Sequence, residues 1–215
     1  MRAIVVAGGS AHPSDATLLT DADLLVAADN GAAWLVAADR TPDMLVGDMD
    51  SVDSALVDEL ERAGVTVERH PAAKDASDLE LAVEAAVSAG ATAVTILAAL
   101  GGPRLDHELA NLLLLADPGW EQRGVELRIV RGATSVRALH GPGSASLAGA
   151  PGHGVTMLPV GGDAMRVSTN GLRYPLRDEP LFLGRARGLS NVIDTSPAGV
   201  RLATGTLLII EGDLT

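Results

Sequence analysis

Over the first 140 residues short apolar runs alternate with stretches of helical periodicity, and this alternation restricts the fold more than any single motif does. Strands are expected at 2–7, 23–28, 44–47, 65–69, 92–98 and 125–130, with a further candidate at 134–139, and helices near 31–38, 53–63, 77–89 and 107–116. Ser77 followed by Glu80 forms a capping-box pattern for the third helix. The repetition implies an α/β domain on a largely parallel sheet, whose ligands lie in the crevice beyond the carboxyl ends of the strands. From Gly141 onward glycine and proline become frequent and helical periodicity stops, leaving short apolar runs at 154–159, 164–168, 199–203 and 206–211. That texture belongs to a small antiparallel β domain. One boundary follows, between 1–140 and 141–215.

Composition narrows the partners. A chain of 215 residues with 47% apolar content has ample material for a core, but aromatics are only 2%, so the core must be Ala, Val, Leu and Ile. A formal charge of -12 argues against nucleic acid, whose binding rests on clustered Lys and Arg, and suits a cationic small molecule. The absence of cysteine excludes disulfides, thiol nucleophiles and cysteine zinc sites. The opening run Met1 to Gly9 reads as a buried strand ending in glycines, too short for a signal segment or a membrane span, so no membrane partner and a cytoplasmic location are expected.

Four strand ends carry glycine or aspartate: Gly8-Gly9, Asp29-Asn30-Gly31, Gly47-Asp48 and Gly101-Gly102. The densest chemistry lies between Thr41 and Asp78, with Asp48, Asp50, Asp75 and Asp78 around a single lysine, Lys74. In an extended segment residues two apart point to one side, so Asp48 and Asp50 would present adjacent carboxylates, a pair that suits magnesium. The alternative is a polar strand-to-helix loop in which Asp50 or Asp53 caps the next helix. A second constellation runs from Leu100 to Asn111. There Gly101 and Gly102 permit close backbone approach to a phosphate, Arg104 offers a fork of donors, and Asp106 and His107 stand at a helix start as cap, catalyst or bystander.

Taken in order, Ala28-Asp29-Asn30-Gly31-Ala32, Pro42 to Ser51, Lys74 to Ala82, Gly101 to Asn111, Asn170 to Leu176 and Gly188 to Asn191 resemble the thiamine pyrophosphokinase family over nearly the whole chain. The resemblance implies an α/β catalytic domain for ATP and magnesium, then a β-sandwich thiamine-binding domain, a homodimer, and transfer of pyrophosphate from ATP to thiamine with release of AMP. Carried over residue by residue, it implies Asp48, Asp50 and Asp78 as magnesium ligands. Lys74 and Arg104 would meet phosphate oxygens, beside Gly101, Gly102 and His107, and Asp29 and Asp106 would contact metal-bound water or substrate. Tyr174, Ser190 and Asn191 would contact thiamine, the ring of Tyr174 standing where relatives often carry Trp. Asn30, Met49 and Ser77 depart from the usual family residues. A two-metal phosphohydrolase and a non-catalytic thiamine-binding module are the rival readings.

Overall fold

The computed structural model describes residues 1–213, which form two compact units. One comprises Met1–Leu114 with Gly119–Gly132; the other comprises Leu115–Pro118 with the chain from Ala133 on.

The first unit contains strands β1 (Arg2–Val6), β2 (Leu24–Ala28), β3 (Met44–Gly47), β4 (Thr66–Arg69), β5 (Ala93–Leu97) and β6 (Glu126–Arg131), paired in the order β4-β3-β2-β1-β5-β6. All five pairings are parallel. The helices are α1 (Gly31–Ala37), α2 (Ser54–Arg62), α3 (Asp78–Ser88), α4 (Leu105–Leu114) and α5 (Pro118–Gln122). Alternate strand residues face opposite sides of a sheet. Ile4, Val6, Leu25, Ala27 and Leu45 accordingly pack with Ala32 and Leu35 of α1 and Val57 and Leu60 of α2. The intervening Val5, Val26 and Val46 are also buried, and α3 packs across β1, β2 and β3 with Leu79, Ala82, Val83 and Ala86 inside.

Strand order runs outward from β1 to β4 on one side and from β5 to β6 on the other, so the topology switches between β1 and β5. Connections leave such a point in opposite directions and open a crevice at the carboxyl ends. The Gly8-Gly9 loop and the Ala98–Arg104 loop flank it, held together by Gly9 N donating to Ala98 O at 2.8 Å and Ser10 Oγ to Gly101 O at 2.6 Å.

The second unit is antiparallel throughout. It contains β7 (Thr134–His140), β8 (Gly143–Leu147), β9 (Gly154–Asn170), β10 (Glu179–Leu181), β11 (Asn191–Val192), β12 (Ala198–Leu202) and β13 (Thr204–Gly212). Over the whole chain, pairing is therefore mixed. The two runs expected at 154–159 and 164–168 are one 17-residue strand, β9, whose ladder with β13 shifts register where Gly161 and Gly162 take φ of 70° and 156°. Its core is aliphatic: Val155, Met157, Val167, Leu176, Ile193, Leu207 and Ile209 are buried, while Tyr174 and Phe182 are exposed.

Three differences from the sequence reading have local causes. β7 pairs with β13 from Ser135 to His140, so the division falls at Gly132/Ala133 rather than 140/141. Helix α4 begins at Leu105, two residues before the expected 107, with Glu108 N already donating to Arg104 O at 3.2 Å. A 3-10 helix at Pro13–Asp21 and the five-residue α5 lack the apolar period that would announce them.

Candidate active site

The acidic residues are placed by two strand ends and one helix start. β2 runs directly into Asp29, which takes φ of 47°, a conformation that Asp tolerates better than most residues. β3 ends on Gly47 at φ 154°, where a side chain would meet Asp29 Cβ and Asp78 Oδ1, each at 3.2 Å. Glycine here lets the two carboxylates approach. Asp78 opens α3, whose N-cap Ser77 accepts from Glu80 N at 3.1 Å, the backbone half of the expected capping box. Carboxylate oxygens of Asp29, Asp48 and Asp78 all fall within 4.8 Å of one another, forming a group that could hold a metal ion.

Asp50 does not join that group, although the sequence reading set it beside Asp48 as a ligand. Met49 between them adopts φ of 63°, so the segment is not extended, yet the two carboxylates still lie side by side and interact directly. Asp50 N also donates to Asp48 Oδ1 at 3.1 Å. The helix that follows is capped by Asp53, whose Oδ1 accepts from Ala55 N at 2.9 Å. Asp75 is exposed and outside the cluster.

Lys74 reaches into the carboxylates. Its Nζ lies 2.7 Å from Asp78 Oδ1 and 3.6 Å from Asp48 Oδ2. Beyond these ion pairs neither Lys74 Nζ nor Asp78 Oδ1 has a hydrogen-bond partner, and Asp29 Oδ1 is likewise buried without one. The other oxygen of Asp29 accepts from Ser51 Oγ, a partner that the sequence reading missed; its only signal was a hydroxyl directly after the Asp-x-Asp. Burial pushes the Asp29 carboxyl above its ordinary value, aided by the charges of Asp78, Asp48 and Asp50 and opposed by Ser51. The Asp50 backbone N–H holds Asp48 below its ordinary value, with the Lys74 charge adding to it, whereas the charge on Asp48 raises Asp50. Contact with Asp78 raises Lys74. Two carboxylates thus hold one ammonium, with the charges of Asp29 and Asp50 beside them and an unpartnered acceptor on Asp29. That donor set of hard oxygens fits a magnesium-type cation.

On the β5 side, Arg104 grips Asp106 with two bonds, Nε to Oδ1 at 2.9 Å and Nη2 to Oδ2 at 2.6 Å. The guanidinium holds Asp106 far below the usual carboxylate range, and Asp106 raises Arg104. Asp106 is therefore a partner of Arg104 in the first turn rather than a helix cap, and His107 beside it is exposed. Gly101 takes φ of 79°, and Gly102 abuts Gly9.

In the second unit Tyr174 is 57% exposed, so its ring is available for stacking rather than spent in the core. Asn191, expected as a ligand contact, is buried: Oδ1 accepts from Tyr174 N at 3.0 Å and Val192 N at 2.9 Å, and Nδ2 donates to Tyr174 O at 2.7 Å. It holds the backbone of Tyr174. Ser190 is exposed at φ 53°, with its N donating to Thr156 Oγ1 at 3.0 Å.

Comparison with known proteins adds two family matches: the thiamin pyrophosphokinase catalytic domain over residues 16–129 and the thiamin pyrophosphokinase vitamin B1 binding domain over residues 147–209. The chain is 27% identical over 210 residues to a thiamine pyrophosphokinase of Bacillus subtilis (strain 168), covering 96% of each. A crystal structure of thiamine pyrophosphokinase from Bacillus subtilis superposes with a TM-score of 0.86 at 24% identity, covering 100% of both chains. A thiamin pyrophosphokinase family protein from Enterococcus faecalis does so with a TM-score of 0.84 at 25% identity, again over 100% of both.

Proposed function

This chain belongs to the thiamin pyrophosphokinase family, and we propose that its own carboxylates, lysine and arginines carry out that family's reaction with the following division of work. The reaction transfers pyrophosphate from ATP to thiamine and yields thiamine diphosphate and AMP. The observation that carries the residue assignment is the convergence of Asp29, Asp48 and Asp78 around Lys74, with Asp29 Oδ1 buried and unpartnered.

Asp29, Asp48 and Asp78 hold magnesium, with Asp50 in support through the hydrogen bond of its N–H to Asp48. Magnesium supplies Lewis-acid stabilisation of charge on the polyphosphate. Phosphoryl chemistry of this kind asks little covalent work of a protein and much positioning, so the remaining residues orient and neutralise. The Lys74 ammonium meets a phosphate oxygen as a point charge, while Arg104 offers its planar fork at the Gly101-Gly102 turn. Asp106 keeps that fork in one orientation until phosphate replaces it. Ser51 fixes the rotamer of Asp29 through its hydroxyl. Thiamine sits against the β-sandwich unit, its cationic thiazolium packing beside the Tyr174 ring, an arrangement that contributes roughly 0.5–2 kcal/mol. Asn191 pins the backbone that carries this ring, and Ser190 offers its hydroxyl.

The enzyme is a homodimer in the cytoplasm, where ATP is available. Support for self-association comes from Leu105, Leu109 and Leu113 of α4, which are 69%, 53% and 56% exposed at four-residue spacing and so share one helix face. No helix among the described residues is long and apolar enough to cross a membrane.

The test is AMP release from ATP with and without thiamine, at saturating magnesium. AMP formed only with thiamine supports the transfer; inorganic phosphate released without thiamine would instead identify a phosphohydrolase.

A further inference from the structure

Four cationic side chains stand at or just beyond the carboxyl ends of the parallel strands: Arg69 after β4, Lys74 before α3, Arg104 after β5, and Arg131 at the end of β6. Arg69 is paired with Glu61 at 2.7 Å, Lys74 with Asp78 at 2.7 Å and Arg104 with Asp106 at 2.6 Å. The guanidinium of Arg131 has neither an ion pair nor a hydrogen bond among the described residues. In a chain with 28 acidic and 16 basic side chains, a cation left without a carboxylate on a rim dense with them requires explanation.

Its position is set by glycine. A Cβ at Gly101 would lie 3.0, 3.2 and 3.3 Å from Nη2, Cζ and Nε of Arg131, so the guanidinium lies against the bare Gly101 backbone. Gly101 belongs to the loop that, with Gly9, closes the switch point between β1 and β5. Ligands of open α/β sheets bind outside that point, and glycines there let a nucleotide come close. The carboxyl end of β6 is fixed next door, because buried Asp15 accepts from Gly132 N at 2.8 Å through Oδ1 and from His12 N at 2.9 Å through Oδ2. A rigid strand end thus carries a partnerless fork of five N–H donors into the nucleotide crevice.

We propose that Arg131 is a second guanidinium of the nucleotide site, binding phosphate oxygens of the adenine nucleotide at the β1/β5 crevice, on the side away from the Asp29–Asp48–Asp78 cluster. This rests on the reading of the protein as an ATP-dependent pyrophosphokinase and adds a residue to it. Arg104 is released to phosphate only by giving up Asp106, whereas Arg131 is available without any such exchange. Its role is therefore capture and retention of the nucleotide, and its loss affects ATP binding more than turnover.

The experiment is calorimetric titration of AMP and, separately, adenosine into wild type, Arg131→Met and Arg131→Lys, with steady-state kinetics and a thermal melt of each. In Arg131→Met the AMP Kd and the KM for ATP rise about tenfold, while adenosine affinity, the KM for thiamine and the melting temperature stay within experimental error of wild type; Arg131→Lys recovers part of the AMP affinity. Unchanged AMP affinity in folded Arg131→Met overturns the proposal. An equal loss for adenosine also overturns it, because the contact would then be to the nucleoside. An equal rise in the thiamine KM with a lower melting temperature would show a merely structural arginine and overturn it as well. Wild type that bound neither AMP nor ATP would defeat the pyrophosphokinase reading itself, a result distinct from these.

Discussion

Asp29→Asn should stabilise the metal-free protein while removing its activity. The amide keeps the shape and tolerates φ of 47° at least as well as the acid, and its Oδ1 can still accept from Ser51. What changes is charge. Asp29 lies within 4.8 Å of both Asp48 and Asp78, and Lys74 offsets one of those two charges, leaving about one net negative charge opposing it. At that separation two unit charges repel by about 0.9 kcal/mol in bulk water and about 3.5 kcal/mol at an effective dielectric of 20. Solvent reaches the half-buried side chains, so the lower figure governs, and a gain near 1 kcal/mol corresponds to roughly 2–4 °C in melting temperature.

The pH dependence carries the same signature. Because the folded-state value of Asp29 is raised, the native protein binds this proton more tightly than the unfolded chain does. Its contribution to stability is therefore fully present below the ordinary carboxylate value of 3.8 and is lost as pH rises through the raised value. Asparagine at 29 abolishes that fall. Asp48, held low, acts in the opposite sense: its contribution is present above the ordinary value and lost as pH falls through the lowered one. Differential scanning calorimetry in chelator, from pH 4 to neutrality, separates the two. Adding magnesium to wild type should raise its melting temperature more than it raises that of the variant. A metal-free Asp29→Asn protein that melts below wild type, or one that gains as much from magnesium, refutes the placement of Asp29 in a repulsive cation site.

Two further outcomes are expected. Lys74→Met, which removes the ammonium between Asp48 and Asp78, should lower the metal-free melting temperature and raise the KM for ATP at least tenfold, and Lys74→Arg should not restore it, since a planar fork does not fit the place of a point charge; normal ATP kinetics in Lys74→Met would remove the residue from the phosphate site. Tyr174→Ala should raise the thiamine KM about tenfold with no change in melting, whereas Asn191→Ala should raise it and also lower the melting temperature, because buried backbone groups of Tyr174 and Val192 lose their partners at about 1–3 kcal/mol. Equal thiamine kinetics for wild type and Tyr174→Ala would end the stacking assignment.

Strand positions in the first unit were legible because each is a short apolar run closed by glycine or aspartate, a signal contained within about ten residues. Which carboxylates converge was not legible in the same way. Asp29, Asp48 and Asp78 come from two strand ends and a helix start, and they meet because β2 and β3 are neighbours and α3 packs over them. Asp50, two residues from Asp48, interacts with its carboxylate but stands outside the trio, and nothing in the intervening Met49 announces its left-handed φ. Proximity in sequence pointed to Asp50 as the neighbour of Asp48, and sheet topology added Asp29 and Asp78.

Asn191 shows a second kind of limit. A polar residue in a Gly/Ser loop near an exposed aromatic reads as a ligand contact, but this amide is only 4% exposed and makes three hydrogen bonds to the backbone of Tyr174 and Val192. An amide has two donors and two acceptors' worth of capacity, so little remains for a substrate. The side chain acts by holding Tyr174 where a preceding glycine and a following proline, Gly171 and Pro175, have already shaped the loop. Gly171 itself takes φ of 71°, with Thr195 O and Ala198 so close that any side chain would collide. The ring is thus presented by a backbone fixed from three directions, which is the preorganisation that a stacking platform needs if binding a cationic ring is not to cost the ordering of a loop.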